Sequence, residues 1–138
     1  MKRLMYALVL MLGVFLNASA QDANSILGLY LVEGGRGKVQ ISREGDKYVG
    51  TLVWTIENGA LDTKNPDKAE HKKPLKGKKI LQNFVYTGKG VWEQGTIYDP
   101  DSGKTYSCKI TRQKDGSLKV RGFIGVSLLG RNSIWKPI

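Results

Sequence analysis

Hydrophobic and polar residues alternate over short runs along most of the chain after residue 25, which is typical of β-strands that bury one face. The alternation is clearest at residues 38–43, where Val39 and Ile41 are separated by polar residues. We predict further strands at residues 26–32, 47–55, 80–86, 118–124 and 131–137, and two more within residues 92–106. No helical period accompanies them. The pattern therefore predicts an all-β protein.

The run at residues 47–55 places Tyr48, Leu52 and Trp54 on one predicted face. Gly50 stands in its middle, where a glycine commonly marks a bend or a bulge. We therefore expect a local irregularity in this strand.

Residues 92–106 predict a tight hairpin. Pro100 suits the first corner of the turn, Gly103 suits a left-handed position, and the Asp99 carboxylate can accept backbone amide protons. If Asp99 faces Lys104, the remaining pairs are fixed as Ile97 with Tyr106, Gly95 with Cys108, and Glu93 with Ile110. This register places Glu93 on an otherwise apolar face.

A second hairpin turn is predicted at residues 114–117, and it leaves two orientations of Arg121 open. A two-residue turn would place Arg121 opposite Ile110, in the same row as Glu93. A three-residue loop with Gly116 in a bulge would turn Leu118 and Val120 to the core and Arg121 outward. Hydrophobic patterning favours the second alternative, and a bulge at Gly122 would reverse it.

About eight short antiparallel strands joined mostly by hairpins favour an up-and-down barrel, because closure removes the sheet edges. A barrel of this size is either packed with side chains or holds one small ligand. A two-sheet sandwich is the alternative fold.

The longest irregular segment runs from residue 57 to residue 79, and loops of this length are commonly lids or binding loops. Its second half is basic, and we interpret it as either a solvated loop or a contact surface for anions. The lysines of this predicted anionic-surface site are Lys68, Lys72, Lys73, Lys76, Lys78 and Lys79.

Residues 1–20 have the features of a cleaved signal peptide: Lys2 and Arg3, an apolar run, and Ala18-Ser19-Ala20. A transmembrane anchor would need a longer apolar run. No cysteine stands at the cleavage boundary, so we do not expect a lipid anchor. The sequence thus predicts one exported domain over residues 21–138, located in the periplasm or secreted.

The net charge of the whole chain is +10. Without Lys2 and Arg3, 20 basic residues face 12 acidic ones, which leaves +8. Such a domain attracts anions, and for an exported chain anionic envelope components are more plausible partners than nucleic acid. The alternative is that the charge serves solubility alone.

Cys108 is the single cysteine, so no internal disulfide can form. Its alternation with polar neighbours predicts a buried, inert thiol. His71 has no Cys or carboxylate partner at ligand spacing, so we predict neither a metal site nor a cofactor.

Ordered motifs across residues 21–138 resemble a family of small exported bacterial proteins known as the domain of unknown function 2147. They are Lys38–Ile41, Gly50–Trp54, Leu61-Asp62, Asn65–Asp67, Pro74-Leu75 with Gly77, Trp92–Gly95, Ile97–Pro100, Gly103–Tyr106, Leu118–Gly122, and Gly130-Arg131 with Trp135. The resemblance implies a lipocalin-like or streptavidin-like barrel and no assigned activity. Two departures are Tyr30, where the family tends to carry Trp, and the basic residues Lys76 and Lys78.

Three functions follow as hypotheses. The first is non-enzymatic binding of a small or lipidic ligand in the barrel. Its candidate residues are Glu93, Arg121, Tyr106, Tyr98, Trp54, Asp62, Asn65 and Asp67. Each also has a structural interpretation, as core aromatic, turn former or internal ion pair.

The second hypothesis is an adhesion or assembly module that contacts an anionic envelope surface through the basic loop. The third, a hydrolase using Glu93 and Asp99, has no activated nucleophile or metal cluster to support it, so we assign no catalytic residue. The sequence leaves the oligomeric state open.

Overall fold

The computed structural model describes residues 22–126 and 128–138. Eight antiparallel strands form a closed barrel in which each strand pairs with its neighbours in sequence order and the last pairs with the first. They are β1 (Gly28–Leu31), β2 (Gly37–Glu44), β3 (Lys47–Thr55), β4 (Lys79–Gly88), β5 (Val91–Asp99), β6 (Lys104–Arg112), β7 (Leu118–Phe123) and β8 (Gly130–Pro137). The predicted up-and-down barrel is confirmed, and the sandwich alternative is wrong. The predicted signal peptide at residues 1–20 lies outside the described residues.

The strand order gives the barrel two distinct ends. Residues 32–36, 56–78, 100–103 and 124–129 connect strands at what we call the long-loop end. Residues 45–46, 89–90 and 113–117 connect them at the hairpin end, where residues 22–27 also lie. No helix in the described ranges is long and apolar enough to cross a membrane.

Side chains fill the barrel interior. Trp92, Phe84, Trp135 and Leu118 belong to one buried cluster to which all eight strands contribute. Gly95 permits this packing, because a Cβ atom there would lie 2.4 Å from ring carbons of Phe84. The core is therefore built from aromatic and aliphatic side chains stacked across the barrel axis.

Residues 22–27 cover the hairpin end. The Trp92 indole donates a hydrogen bond to the carbonyl of Ala23 at 3.2 Å, and the Tyr30 hydroxyl donates to Ile26 at 2.9 Å. The Tyr48 hydroxyl lies 2.8 Å from Oδ1 of Asn24. This segment closes the barrel floor by satisfying the polar groups of three otherwise buried aromatic residues.

The closing seam between β1 and β8 is short. It consists of two residue pairs, Tyr30 with Pro137 and Leu31 with Lys136. By contrast, eight pairs join β2 to β3. One further hydrogen bond, from the amide of Ile138 to the carbonyl of Leu29 at 2.9 Å, extends the seam.

A bulge in β5 makes the predicted position of Glu93 wrong. Asp99 pairs with Lys104 and Gly95 with Cys108 as expected, but Ile110 then faces Trp92 instead of Glu93. The extra residue is accommodated at Gln94, whose φ is +65°. The bulge buries the large indole and leaves the carboxylate in contact with water, which avoids the cost of an unpaired buried charge.

A second bulge reverses the predicted face of Trp54. Trp54 pairs with Lys38, whereas Leu52 pairs with the next residue, Val39, so Val53 is the extra residue. Leu52 faces the core, while Trp54 is 39% exposed, with the Lys38 ammonium 4.8 Å from its ring centroid. The irregularity expected at Gly50 is confirmed, since the pairing of β3 with β4 shifts register on both sides of it.

Arg121 adopts the second of the two predicted orientations. Gly116 has a φ of +88° in the turn, and Leu118 and Val120 are almost completely buried. Arg121 faces Lys109 of β6 and Asn132 of β8. The turn that contains Gly116 therefore directs Leu118 and Val120 of β7 toward the core, as the hydrophobic pattern of residues 118–124 predicts.

Candidate functional site

The long loop carries a buried carboxylate. The side chain of Asp62 is 1% exposed, and its Oδ1 accepts a hydrogen bond from the Tyr98 hydroxyl at 2.5 Å. Its Oδ2 accepts from Asn65 Nδ2 at 2.8 Å and lies 2.6 Å from the Lys78 ammonium. Glu70 contacts the same ammonium at 3.6 Å. We call Asp62, Asn65, Glu70, Lys78 and Tyr98 the Asp62 cluster.

The backbone of the long loop positions this cluster. The amide of Asp62 donates to the carbonyl of Lys73, and the amide of Leu75 donates to Ala60, so the two halves of the loop pair with each other. The loop is joined to β3 through Gly77 and Leu52. Residues 56–78 thus form a segment held by its own backbone hydrogen bonds, and we call this segment the flap.

The flap also packs closely on the β5–β6 turn. Gly103 has a φ of +72°, and a Cβ atom at this position would lie 1.8 Å from the carbonyl oxygen of Lys64. Glycine is therefore required there for both its backbone conformation and its lack of a side chain. Arg36 adds exposed contacts to Glu57 and Asp101, which bring the β1–β2 and β5–β6 loops together.

Contacts within the Asp62 cluster shift the pKa values of Asp62 and Tyr98. Burial raises the pKa of Asp62, but hydrogen bonds from Lys78, Tyr98 and Asn65, with the Lys78 charge, more than offset it, so the pKa lies below its usual value. Burial, together with the hydrogen bond to Asp62 and the charge of that carboxylate, raises the pKa of Tyr98 well above its usual value. Asp62 is therefore a carboxylate whose hydrogen bonds and charge are matched by Lys78, Asn65 and the neutral phenol of Tyr98, as in a satisfied internal ion pair.

The structure brings together three of the residues predicted to bind a ligand: Asp62, Asn65 and Tyr98. Asp67 does not join them, because its side chain caps the short 3-10 helix Lys68–Glu70 by accepting from the amide of Ala69. Tyr106 is half-buried and pairs with Ile97. The ligand-binding role of these residues stays a prediction.

Glu93 and Arg121 are both on the outer surface and do not form a pair with each other. Glu93 lies 3.6 Å from Lys109. Arg121 donates to Asn132 Oδ1 at 2.8 Å and to the carbonyl of Leu128 at 3.2 Å. An internal clamp formed by Glu93 and Arg121 is therefore absent.

The six lysines predicted to form an anionic-surface site divide into two sets. Lys78 lies in the Asp62 cluster, Lys73 pairs with Glu70, and Lys79 pairs with Glu44. The second set is exposed and has no ion-pair partner among residues 22–126 and 128–138: it consists of Lys68, Lys72 and Lys76. Half of the predicted set thus remains available to external anions.

The same end of the barrel carries an apolar surface that the sequence pattern did not predict. Four side chains of the β7–β8 connection are 59–87% exposed: Ile124, Val126, Leu128 and Leu129. The four residues are apolar in the sequence, but residue 124 was predicted to end a strand, whereas β7 ends at Phe123. Together these four residues form what we call the apolar loop.

Two acids considered for hydrolysis have separate partners. Asp99 accepts from the amide of Asp101 at 3.0 Å and from the Ser102 hydroxyl at 2.8 Å, as a turn cap does. Glu93 lies beside Lys109 on the outer surface. Within the described ranges, no three His, Cys, Asp or Glu side chains converge in a way that could hold a metal ion.

The fold is that of a lipocalin-like barrel. Its geometry is similar to that of protein HP1028 from the human pathogen Helicobacter pylori, described as belonging to the lipocalin family, with a TM-score of 0.76 and 19% identity over 82% of each chain. The chain belongs to the family described as an uncharacterized protein conserved in bacteria (DUF2147), whose model matches residues 28–137. No curated protein matches this sequence.

Proposed function

We propose that this protein is an exported, non-enzymatic binding protein of the bacterial envelope that attaches to anionic lipid surfaces through the long-loop end of its barrel. One observation carries the proposal: the apolar loop and the exposed side chains of Lys68, Lys72 and Lys76 extend from the same end. Exposed apolar patches on a small domain commonly mark protein or membrane contacts.

The two features complement each other physically. The β3–β4 and β7–β8 connections lie on opposite sides of the long-loop end, since four strands separate them around the barrel. Burying a leucine or isoleucine side chain contributes about 1.5–3 kcal/mol. Each lysine near an anionic membrane surface contributes about 1 kcal/mol. An anionic lipid surface satisfies both sets of residues at once.

Export is part of the proposal and depends on the sequence features of residues 1–20. A positive start, an apolar run and small residues before residue 21 are the features that direct secretion. We expect the N-terminus of the protein isolated from its host to begin at Gln21. Mass spectrometry of the intact protein tests this, and an uncleaved mass would contradict it.

A second candidate function is the enclosure of a small or lipidic ligand, which the likeness to a lipocalin-family barrel favours. The inward side chains form one buried cluster, so a ligand inside the barrel would have to displace some of them. Native mass spectrometry of protein purified from its own host would detect such a ligand.

Vesicle flotation tests the membrane proposal directly. We expect the protein to float with vesicles of mixed phosphatidylcholine and phosphatidylglycerol and not with phosphatidylcholine alone. Binding should weaken at about 1 M salt, where the Debye length falls to about 3 Å. Replacing Lys68, Lys72 and Lys76 with Gln should weaken low-salt binding roughly a hundredfold. The double variant Ile124→Ser and Leu129→Ser should weaken it about tenfold or more.

Matched controls come from the opposite end of the barrel. Ile138→Ser removes an apolar side chain that is 65% exposed. The triple Gln variant of Lys47, Lys89 and Lys114 removes three exposed lysines there. Equal losses in these controls, or no flotation at any salt, would refute the proposal. A concentration-dependent dimer that only the Ile124 and Leu129 variant abolishes would identify a second copy of the chain as the partner instead.

A further inference from the structure

A separate basic cleft lies on the outer wall of the barrel, where β6, β7 and β8 meet. It has a volume of about 270 Å³ and is lined by Lys109, Thr111, Lys119, Arg121, Leu128 and Asn132. Three of these six side chains are cationic and none is acidic. The cleft is distinct from the Asp62 cluster and contains none of the lysines of the flap.

The strand register brings like charges together in this cleft. Lys109 is the direct cross-strand partner of Arg121, and Thr111 is the partner of Lys119. Directly opposed residues in antiparallel strands have Cβ atoms about 4.5–5.5 Å apart, and like charges at that separation destabilise the sheet. An anion bound between the two strands would remove this repulsion.

The acidic side chain beside the cleft is Glu93, which contacts Lys109. Glu93 lies 3.6 Å from Lys109, and both side chains are about two-fifths exposed, so water weakens their attraction. Lys119 has no ion-pair partner among the described residues. The cleft therefore keeps a local excess of positive charge.

Arg121 is held in a defined orientation. Asn132 accepts from one terminal nitrogen of its guanidinium and the carbonyl of Leu128 accepts from the other. Fixing a long side chain in advance lowers the entropic cost of binding a ligand. The planar guanidinium is also the side chain best suited to tetrahedral oxyanions.

We propose that this cleft is a specific binding site for a phosphate-type oxyanion, with Arg121 and Lys119 as its principal ligands and Lys109 and Thr111 as supporting groups. The inference goes beyond the proposed membrane attachment, and the two share only Leu128, which belongs to the apolar loop and also lines the cleft. The phosphate group can be that of a lipid headgroup or that of a soluble phosphate ester. Leu128, 87% exposed at the rim, provides an apolar contact that only the lipid would use.

Nuclear magnetic resonance titration of the purified, isotope-labelled protein tests the site. Inorganic phosphate should cause saturable shifts at the amides of residues 109, 111, 119 and 121, and chloride at equal ionic strength should not. Arg121→Gln or Lys119→Gln should raise the Kd about tenfold or more, because each removes a charge-assisted hydrogen bond. Lys119→Gln leaves the hydrogen bonds of Arg121 in place. If Arg121→Gln fails to fold, Lys119→Gln therefore still tests the site.

Arg112→Gln is the matched control. Arg112 lines another surface cleft, of about 300 Å³, which also contains Asp22. Its replacement should leave the phosphate Kd within about twofold. Shifts spread over all lysines without saturation, or an unchanged Kd in both cleft variants, would overturn the proposal.

Two further arms identify the source of the phosphate and separate this inference from the proposed function. A short-chain phosphatidic acid that binds more tightly than inorganic phosphate, with the difference lost in Leu128→Ser, indicates a lipid headgroup. Equal affinities indicate a soluble ester, and both results support the site.

If the cleft variants lose phosphate but still float with vesicles, the cleft and the membrane surface act independently. If phosphate binding persists when flotation fails, the inference survives and the proposed function does not.

Discussion

The hydroxyl of Tyr98 lies 2.5 Å from the carboxylate of Asp62, although 36 residues separate the two in the sequence. This contact fastens the flap to β5, and Lys78 supplies the compensating charge at 2.6 Å. Removing one member of a buried ion pair leaves the other charge desolvated and uncompensated. This destabilises the folded state more than replacing both members with apolar residues does.

Asp62→Ala should therefore lower the free energy of unfolding by about 3–5 kcal/mol. Chemical denaturation measures the change. Tyr98→Phe removes one hydrogen bond but leaves the ion pair, so we expect a loss of about 1–3 kcal/mol. Asp67→Ala is the control, because it removes only an exposed cap and should cost about 1 kcal/mol. A loss for Asp62 no larger than that for Asp67 would show that the pair does not fasten the flap.

The stability of the protein should depend on pH through Asp62. Its pKa is lower in the folded chain than in the unfolded chain, so the folded state binds fewer protons in acid. The stabilising contribution is fully present above the unfolded pKa of about 3.9 and is lost as the pH falls through the folded value. Denaturation between about pH 6 and pH 2 should show a smaller loss on acidification in Asp62→Asn than in the natural sequence. Identical slopes would assign acid sensitivity to other carboxylates.

Gly95→Ala should destabilise the core. The added methyl group would lie 2.4 Å from ring carbons of Phe84, so the ring or the strand must move. Overpacking of this kind costs about 1–3 kcal/mol. Gly122→Ala is the control, since its nearest contact would be 3.4 Å, an ordinary van der Waals distance. Combining Gly95→Ala with Phe84→Leu should recover part of the loss, and a lack of recovery would place the strain elsewhere.

The thiol of Cys108 should be unreactive in the folded protein. Burial raises its pKa to about 12, with backbone hydrogen bonds from Lys109 and Arg121 opposing the shift, so almost no thiolate exists at neutral pH. A disulfide exchange reagent should modify Cys108 at the rate of unfolding and immediately in denaturant. Fast modification without denaturant would contradict the burial that both the pattern and the structure indicate.

The sequence was sufficient to predict the barrel, because most of the strands carry their own alternation and each tight turn carries its own turn-forming residues. The turn at Asp99 and Lys104 also fixed the pairing of β5 with β6 as far as Gly95 and Cys108. On the N-terminal side of Gly95, the extra residue near Gln94 shifts the pairing of β5 with β6 by one residue, so Ile110 faces Trp92 and not Glu93. A bulge is a compromise among packed side chains, and the local pattern does not contain that information.

The candidate sites were harder to predict for a different reason. Asp62, Asn65 and Tyr98 were named as polar or aromatic residues in the right regions, but Lys78 was assigned to the surface because it stands among other lysines. Its burial depends on how the flap folds back. The basic cleft was missed because Lys109 and Arg121 become neighbours only once the register of β6 and β7 is known.

The short seam between β1 and β8 gives the barrel a preferred place to open. Two residue pairs close a ring whose ends are about 100 residues apart in the chain, and one of the four residues, Pro137, has no amide proton to donate. Loop closure over such a distance carries an entropic cost that the other, locally paired strands do not incur. The native state should therefore open locally at this seam first. In a hydrogen-exchange experiment, the amides of residues 28–31 should exchange with solvent before those of β5 and β6.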